Sequence, residues 1–248
     1  MRSYAIGDVH GHIDKLRAVQ DWIAADKARV KDPEAPIVHV GDFPDRGPDV
    51  AAVLRHLQQG IREGAPWVML KGNHDRMMYR FLQARELRDN LRHDLHWLQA
   101  NIGGRATLAS YGVDVGAERA IADIHADAIA AVPQSDVDFL GALPTSYQRG
   151  GVFFCHAGVR PGVPLNEQSE DDLVWIRREF LEDPRDFGAL IVHGHTPVDT
   201  VTHYGNRLNI DSGAAYGGPL SAVVIEGPEV FRITPEGRVP VLPQGRAG

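Results

Sequence analysis

Met1-Arg-Ser-Tyr-Ala-Ile-Gly-Asp-Val-His-Gly-His12 decides how the rest of the chain is read. The apolar run Ser3 to Ile6 predicts a buried strand that stops at Gly7, and Asp8 and His10 then project to one side, because side chains alternate along extended backbone. An isolated Asp-X-His is weak evidence, since Asp and Gly are also common turn residues. Four later stretches repeat the device: Gly41-Asp42-Phe-Pro-Asp45-Arg46-Gly47, Gly72-Asn73-His74-Asp75, Cys155-His156-Ala-Gly158 and Gly194-His195-Thr196. Each ends an apolar run with side chains that can hold a metal or a phosphate, so five strand tips are expected to assemble one site.

Between these tips the periodicity predicts strands at Ile37–Val40 and Trp67–Leu70, and helices at His12–Lys27, Asp49–Gln59 and His74–Arg85. Strands alternating with helices imply a largely parallel sheet with its functional loops at the carboxyl ends of the strands. A middle segment at about 86–132 reads as mainly helical. Beyond it, Gln148-Arg-Gly-Gly151 predicts a hairpin turn before the strand Val152–Cys155, and Ser169–Leu181 reads as one further helix. After Leu190–Val192 come several short strands, and the stretch after Glu236 is expected to be loosely held.

The chain has 248 residues, a formal net charge of −7 and a single cysteine. That length suits a single domain, 1–248. The negative balance disfavours nucleic acid or an anionic membrane surface as a partner, and no apolar run reaches the roughly 18 residues of a membrane span. A cytoplasmic monomer is the expectation. With only Cys155 present, any metal is held by oxygen and nitrogen. Asp42, Asn73, His156 and His195 form a donor set suited to manganese, iron or zinc. The two oxygens of Asp42 can bridge two ions about 3.5 to 4 Å apart, with a water between them that ionises near neutral pH.

In this order the five blocks resemble the phosphoprotein phosphatase branch of the calcineurin-like metallophosphoesterases, and most closely its compact bacterial protein phosphatases. The resemblance is scattered over positions 7 to 213. It implies a four-layer α-β-β-α sandwich of class α/β, with two divalent or mixed-valence ions, manganese first. Asp8, His10 and Asp42 would hold one ion, and Asp42, Asn73, His156 and His195 the other. Arg46 matches the phosphate-clamping arginine, His74 the catalytic histidine and Asp45 its acidic partner. Asp172-Leu-Val-Trp-Ile-Arg177 resembles the segment that supplies a second arginine, which selects Arg177 over its rivals Arg160 and Arg178.

The implied activity is hydrolysis of phosphate monoesters, with protein phosphoserine or phosphothreonine first and phosphotyrosine in addition, by direct attack of a metal-bridging hydroxide. A phosphorylated protein or peptide is then the partner. The alternative is a nucleotide hydrolase resembling symmetrical diadenosine tetraphosphatase. Two departures from the family pattern concern geometry: Pro44 stands where Val is usual, and Asp75 where Glu is usual. Cys155 reads as a buried structural residue whose side chain alternates away from His156. His193 is a minor candidate for the site, Tyr216 a neighbour of it, and Trp97 and Tyr111 either lid or core residues.

Overall fold

Residues 1–244 are described by a computed structural model. Three β-loop-α units open the chain: β1 (Arg2–Ile6), α1 (Ile13–Val30), β2 (Ile37–His39), α2 (Val50–Arg62), β3 (Trp67–Met69) and α3 (Asn73–Ala84). β1 pairs with β2 and β2 with β3, both parallel. After α4 (Gly104–Ser110), α5 (Ile121–Ala131) and α6 (Gln134–Ala142), the hairpin of β4 (Ser146–Arg149) and β5 (Val152–Cys155) turns at Gly150-Gly151 as expected. α7 (Glu170–Trp175) and α8 (Arg178–Leu181) follow, then β6 (Leu190–His193), β7 (Thr202–His203), β8 (Arg207–Asn209), β9 (Ala222–Glu226), β10 (Glu229–Thr234) and β11 (Gly237–Pro240).

The strands form two sheets, ordered β11-β10-β9-β1-β2-β3 and β4-β5-β6-β8-β7. The two-sheet sandwich that the resemblance implies is borne out, while the largely parallel sheet read from the periodicity is corrected to two mixed ones. Pairing is parallel between β1, β2 and β3 and between β5 and β6, where a helix carries the chain back, and antiparallel where short turns link β9, β10 and β11, because a tight turn can only reverse direction.

Strand alternation builds the layers. In β1, Tyr4 and Ile6 face α1 to α6, whereas Ala5 faces the other sheet. Between the sheets lie Ala5, Val38, Phe154, Val192, Leu208 and Val223. On the far side of the second sheet, Phe153, Cys155 and Ile191 pack against Leu173, Ile176 and Phe180 of the α7–α8 region. The result is helix, sheet, sheet, helix. Phe154 is fully buried in the inter-sheet core, so Phe154→Ala is expected to cost about 3–5 kcal/mol. Chemical denaturation would check this, and a loss under about 1 kcal/mol would contradict the layer assignment.

Three other expectations change. Residues 86–102 are not helical: turns carry Leu91, Leu95, Trp97 and Leu98, with an isolated bridge between Arg88 and His96. Here tertiary bonds override periodicity, since Asp89 accepts two bonds of 2.8 Å from Arg76 and one from the Leu91 amide. The helix expected over Ser169–Leu181 breaks at Ile176 and Arg177, although Ser169 does cap it by accepting from the Asp172 amide. The stretch after Glu236 is also held. β11 pairs with β10, and the Arg238 guanidinium donates to Asp26 and Glu226 at 2.7 and 2.9 Å. The last four residues of that stretch, 245–248, lie outside the described part of the chain.

Candidate active site

Loops after five strands converge at one end of the two sheets. β1 delivers Asp8 and His10, β2 delivers Asp42, the β3–α3 loop Asn73 and His74, β5 His156 and β6 His195, and every one of them is buried. His10, Asp42, Asp45, Arg46 and His195 have positive φ angles between 44° and 74°. Left-handed backbone is unfavourable for residues other than glycine and persists only where surrounding bonds impose it. Here the Val9 and His10 amides donate to the Asp42 carbonyl, while the Asp42 and Phe43 amides donate to the Asp75 carboxylate. Asp75, shorter by a methylene than the usual Glu, also accepts from the Gly72 amide at 2.7 Å and so ties two strand tips together. Gly72 and Gly194 are required by close approach, since a β-carbon there would collide with Asp42 and Asp8 respectively.

The centre is rich in acceptors. His10 Nδ1 donates to the Pro44 carbonyl and His156 Nδ1 to the Val40 carbonyl, each at 2.9 Å, which turns both Nε2 atoms inward as ligand-competent lone pairs. Pro44 thus retains the one backbone group the site uses, its carbonyl. Asp42 places one oxygen 3.5 Å from His10 Nε2 and the other 3.4 Å from His156 Nε2. His156 Nε2 lies 3.0 Å from Asn73 Oδ1 and 3.2 Å from His195 Nδ1. Burial opposes a charge on His156, yet Asp42 lifts the imidazole to about 9, so this cluster of acceptors demands a positive charge.

Two groups have the spacing to hold a cation, His10 with Asp42 and His74, and Asp42 with His156 and His195; Asp42 belongs to both. Asp8 stands slightly apart. One of its oxygens accepts from the His195 amide at 2.9 Å, and the other is buried without a partner among the described residues, as suits a metal ligand. The donor chemistry therefore fits a pair of divalent cations. The geometry differs from the resemblance in one respect, for it gathers His74 in the place the resemblance gives to Asp8.

His74 Nδ1 lies 2.6 Å from Asp45 Oδ2. Asp45 is fully buried and also accepts from Thr107 Oγ1 at 2.6 Å and from Trp97 Nε1 at 3.0 Å. Burial pushes the Asp45 carboxyl well up, with Thr107 and Trp97 opposing, and burial holds His74 down to about 3 against the pull of Asp42. Trp97 is thus a core residue that orients a site carboxylate. Neither its role nor that of Thr107 or Asp75 has a sequence signal, because each depends on a contact distant in the chain.

Arg46 spans two imidazoles, donating to His10 Nε2 at 2.7 Å and to His74 Nε2 at 3.0 Å. Arg177, at the break between α7 and α8, donates to His195 Nε2 at 2.9 Å. Neither arginine pairs with a carboxylate among the described residues. The rivals turn away, Arg160 to Asp172 at 2.9 Å and Arg178 to Glu182 at 3.1 Å. Over the centre opens a cleft of about 300 Å³, whose wall adds Arg92, Trp175, Asp211 and Tyr216. The structure does not bring His193 into it; that ring meets Phe180 edge-on, 5.1 Å between centroids, and bonds the Gly194 carbonyl. Cys155 is buried, and burial raises its thiol well above the usual range.

Among the described residues, no helix is long and apolar enough to cross a membrane. The sequence is 22% identical over 262 residues to the bis(5'-nucleosyl)-tetraphosphatase PrpE (asymmetrical) of Bacillus thuringiensis, with 98% of each chain covered. It is 25% identical to the PrpE of Geobacillus thermodenitrificans, with 96% of each covered. Solved structures with the same fold include a cold-active protein tyrosine phosphatase, at TM-score 0.65 and 18% identity, covering 98% of this chain and 79% of the other. A candidate diadenosine tetraphosphatase superposes at TM-score 0.59 and 21% identity, covering 97% and 94%. The family model of the calcineurin-like phosphoesterases matches residues 1–224. With the fold, the acceptor-rich centre and that match in agreement, this chain belongs to the calcineurin-like phosphoesterase family and is a metallophosphoesterase hydrolase.

Proposed function

We propose that the chain hydrolyses dinucleoside polyphosphates, cleaving a phosphoanhydride bond with the help of a divalent metal pair. What carries this reading is that relatives named as nucleoside tetraphosphatases align over nearly the whole of both chains, while the cleft offers Arg46 and Arg177, neither in an ion pair among the described residues. It reverses the order of preference drawn from the sequence motifs, in which phosphoproteins came first.

In this reading Asp8, His10, Asn73, His156 and His195 would hold the ions, with Asp42 shared by the two groups, and manganese is the first candidate and iron or zinc the others. When bound, such ions supply Lewis-acid charge to the phosphoryl group and make water acidic enough to ionise near neutral pH. The planar forks of Arg46 and Arg177 grip non-bridging phosphate oxygens. Moving Arg46 from the imidazoles to the phosphate would free His74 Nε2 to take up a proton from solvent and pass it to the leaving oxygen, while Asp45 fixes the ring through Nδ1.

One observation favours the phosphoserine or phosphothreonine reading as the second choice. An alkoxide leaving group needs a proton donor far more than a phosphate leaving group does, and His74, oriented by Asp45 through Nδ1, lines the cleft where such a donor would stand. Side-by-side kcat/KM values decide. With manganese added, diadenosine tetraphosphate is expected to exceed a phosphoserine peptide by about a hundredfold, or about 2.7 kcal/mol of transition-state stabilisation. A preference of that size for the peptide would replace the nucleotide reading by the phosphoprotein one.

A further inference from the structure

The rim of the cleft holds features that cleavage of a single phosphoryl group leaves unused. Arg92 lines the same cleft as Arg46 and Arg177, although it comes from the turn-rich segment 86–102 and not from a strand tip. Its guanidinium lies 5.6 Å from the centre of the Trp175 ring and is steadied by Asp94 at 2.7 and 2.8 Å. Trp175 in turn meets His195 edge-on, 5.7 Å between centroids, so Arg92 is one aromatic ring away from the metal-competent centre. The Trp175 indole N–H is buried and lacks an acceptor among the described residues. Arg92 is also close enough to oppose the charge of Arg177. Asp94 engages Nε and one terminal nitrogen of Arg92 and leaves the other, so three arginines line one cleft alongside Asp8, Asp42 and Asp211, and cations gathered in this way fit a ligand carrying more than one anionic group.

Across the cleft, Tyr216 presents 66% of its surface, with the Arg46 guanidinium 5.2 Å from its ring centre. It rides on a short turn between Gly213 and Gly217, both with positive φ. Lys15 fixes that turn by donating to the Ala214 and Gly218 carbonyls at 3.0 and 2.8 Å. A large aromatic ring held this exposed at the mouth of an arginine-lined cleft offers a face on which a flat base can stack.

We propose that Arg92 forms a distal phosphate subsite, and Tyr216 the platform for a nucleobase, so that the cleft recognises the polyphosphate chain of a nucleotide beyond the phosphorus that is attacked. This deepens the functional reading above and rests on it. A chain of phosphates places dense negative charge within a few ångströms, which matches arginines gathered around about 300 Å³ better than an extended acidic peptide does.

Calorimetric titration of the metal-loaded protein with orthophosphate, inorganic tripolyphosphate and a non-hydrolysable diadenosine tetraphosphate analogue tests the assignment without relying on turnover. The wild-type chain is expected to prefer tripolyphosphate over orthophosphate. Arg92→Ala should reduce that preference by about tenfold or more, the scale of one charge-assisted hydrogen bond, and Arg92→Lys should restore part of it. Tyr216→Ala should weaken the dinucleotide analogue severalfold while leaving the tripolyphosphate preference in place. An unaltered preference in Arg92→Ala would overturn the phosphate subsite, and equal weakening of both ligands in Tyr216→Ala would overturn the base platform. Equal loss of affinity for an acidic phosphopeptide in Arg92→Ala would assign this rim to peptide recognition and overturn the proposal. Failure of the wild-type enzyme to hydrolyse diadenosine tetraphosphate would refute the functional reading separately from the subsite, which the titrations judge by themselves.

Discussion

Asp42→Asn is expected to lower turnover by about a thousandfold, on the order of 4 kcal/mol, and to leave the protein with at most one weakly held ion. The two oxygens of Asp42 face two different sets of groups, one toward His10 and the other toward His156, at 3.5 and 3.4 Å. Among the described residues no other side chain belongs to both cation-competent groups. Replacing the carboxylate by an amide removes a charge from a buried centre and leaves an N–H₂ donor among acceptors, a change that costs several kcal/mol in buried ionic sites. Asn is a more informative substitution than Ala because residue 42 sits at φ 53°, a left-handed conformation that Asn tolerates well. The backbone bonds of this tip, from Val9 and His10 to the Asp42 carbonyl, are then preserved. Metal analysis of the purified variant, together with turnover across a manganese titration, provides the check. Full activity with a full complement of ions would show that Asp42 does not join the two groups.

His74→Asn is expected to separate substrates by their leaving groups. On a phosphoserine peptide the loss should be about a hundredfold to ten-thousandfold, the range for a positioned general acid. On diadenosine tetraphosphate the loss should be smaller by about tenfold or more, because the departing phosphate is a much weaker base than an alkoxide. The same variant resolves the difference between the resemblance and the geometry. The resemblance makes His74 a proton donor, whereas its nitrogen also lies within reach of His10 and Asp42 as a possible ligand. Unchanged metal content is expected, since His74 Nδ1 is committed to Asp45 and its Nε2 stands 3.9 Å from Asp42, farther than the 3.5 Å of His10 Nε2. Loss of an ion from His74→Asn, or equal losses on both substrates, would remove the proton-donor role.

How much of the site is legible in the sequence follows from the kind of contact each residue makes. Asp8, His10, Asp42, Asn73, His156 and His195 all stand within a few residues of the end of an apolar run, so local pattern suffices to single them out. Arg46 and His74 lie in the same blocks. Asp75 does too, but that it ties the Asp42 loop to the Gly72 loop is visible only when the two tips are adjacent in space. Trp97 and Thr107 reach Asp45 across more than 50 residues. Arg92 has no motif at all, and its segment carries a helical spacing of Leu91, Leu95 and Leu98 that the fold does not use. The Arg76–Asp89 ion pair and the Trp97–Asp45 bond take precedence there, because a buried charge or indole N–H left unpaired costs more than a turn of helix contributes.

The sequence by itself determined the repeated device: short apolar strands, close-approach glycines, and the order of the metal- and phosphate-competent residues that follow them. That information is local, carried by period-two alternation and by residues that stop a strand. Only the tertiary structure decided the mixed order of the strands within each sheet, that the helix after Ser169 breaks so that Arg177 meets His195, and that the stretch after Glu236 is pinned as β11. It also decided which arginines face the cleft, because the positions of Arg92, Arg160 and Arg177 depend on partners distant in the chain. Burial and pairing energies between such distant groups exceed local propensities of a few tenths of a kcal/mol per residue, and where the two conflict the distant contacts set the outcome.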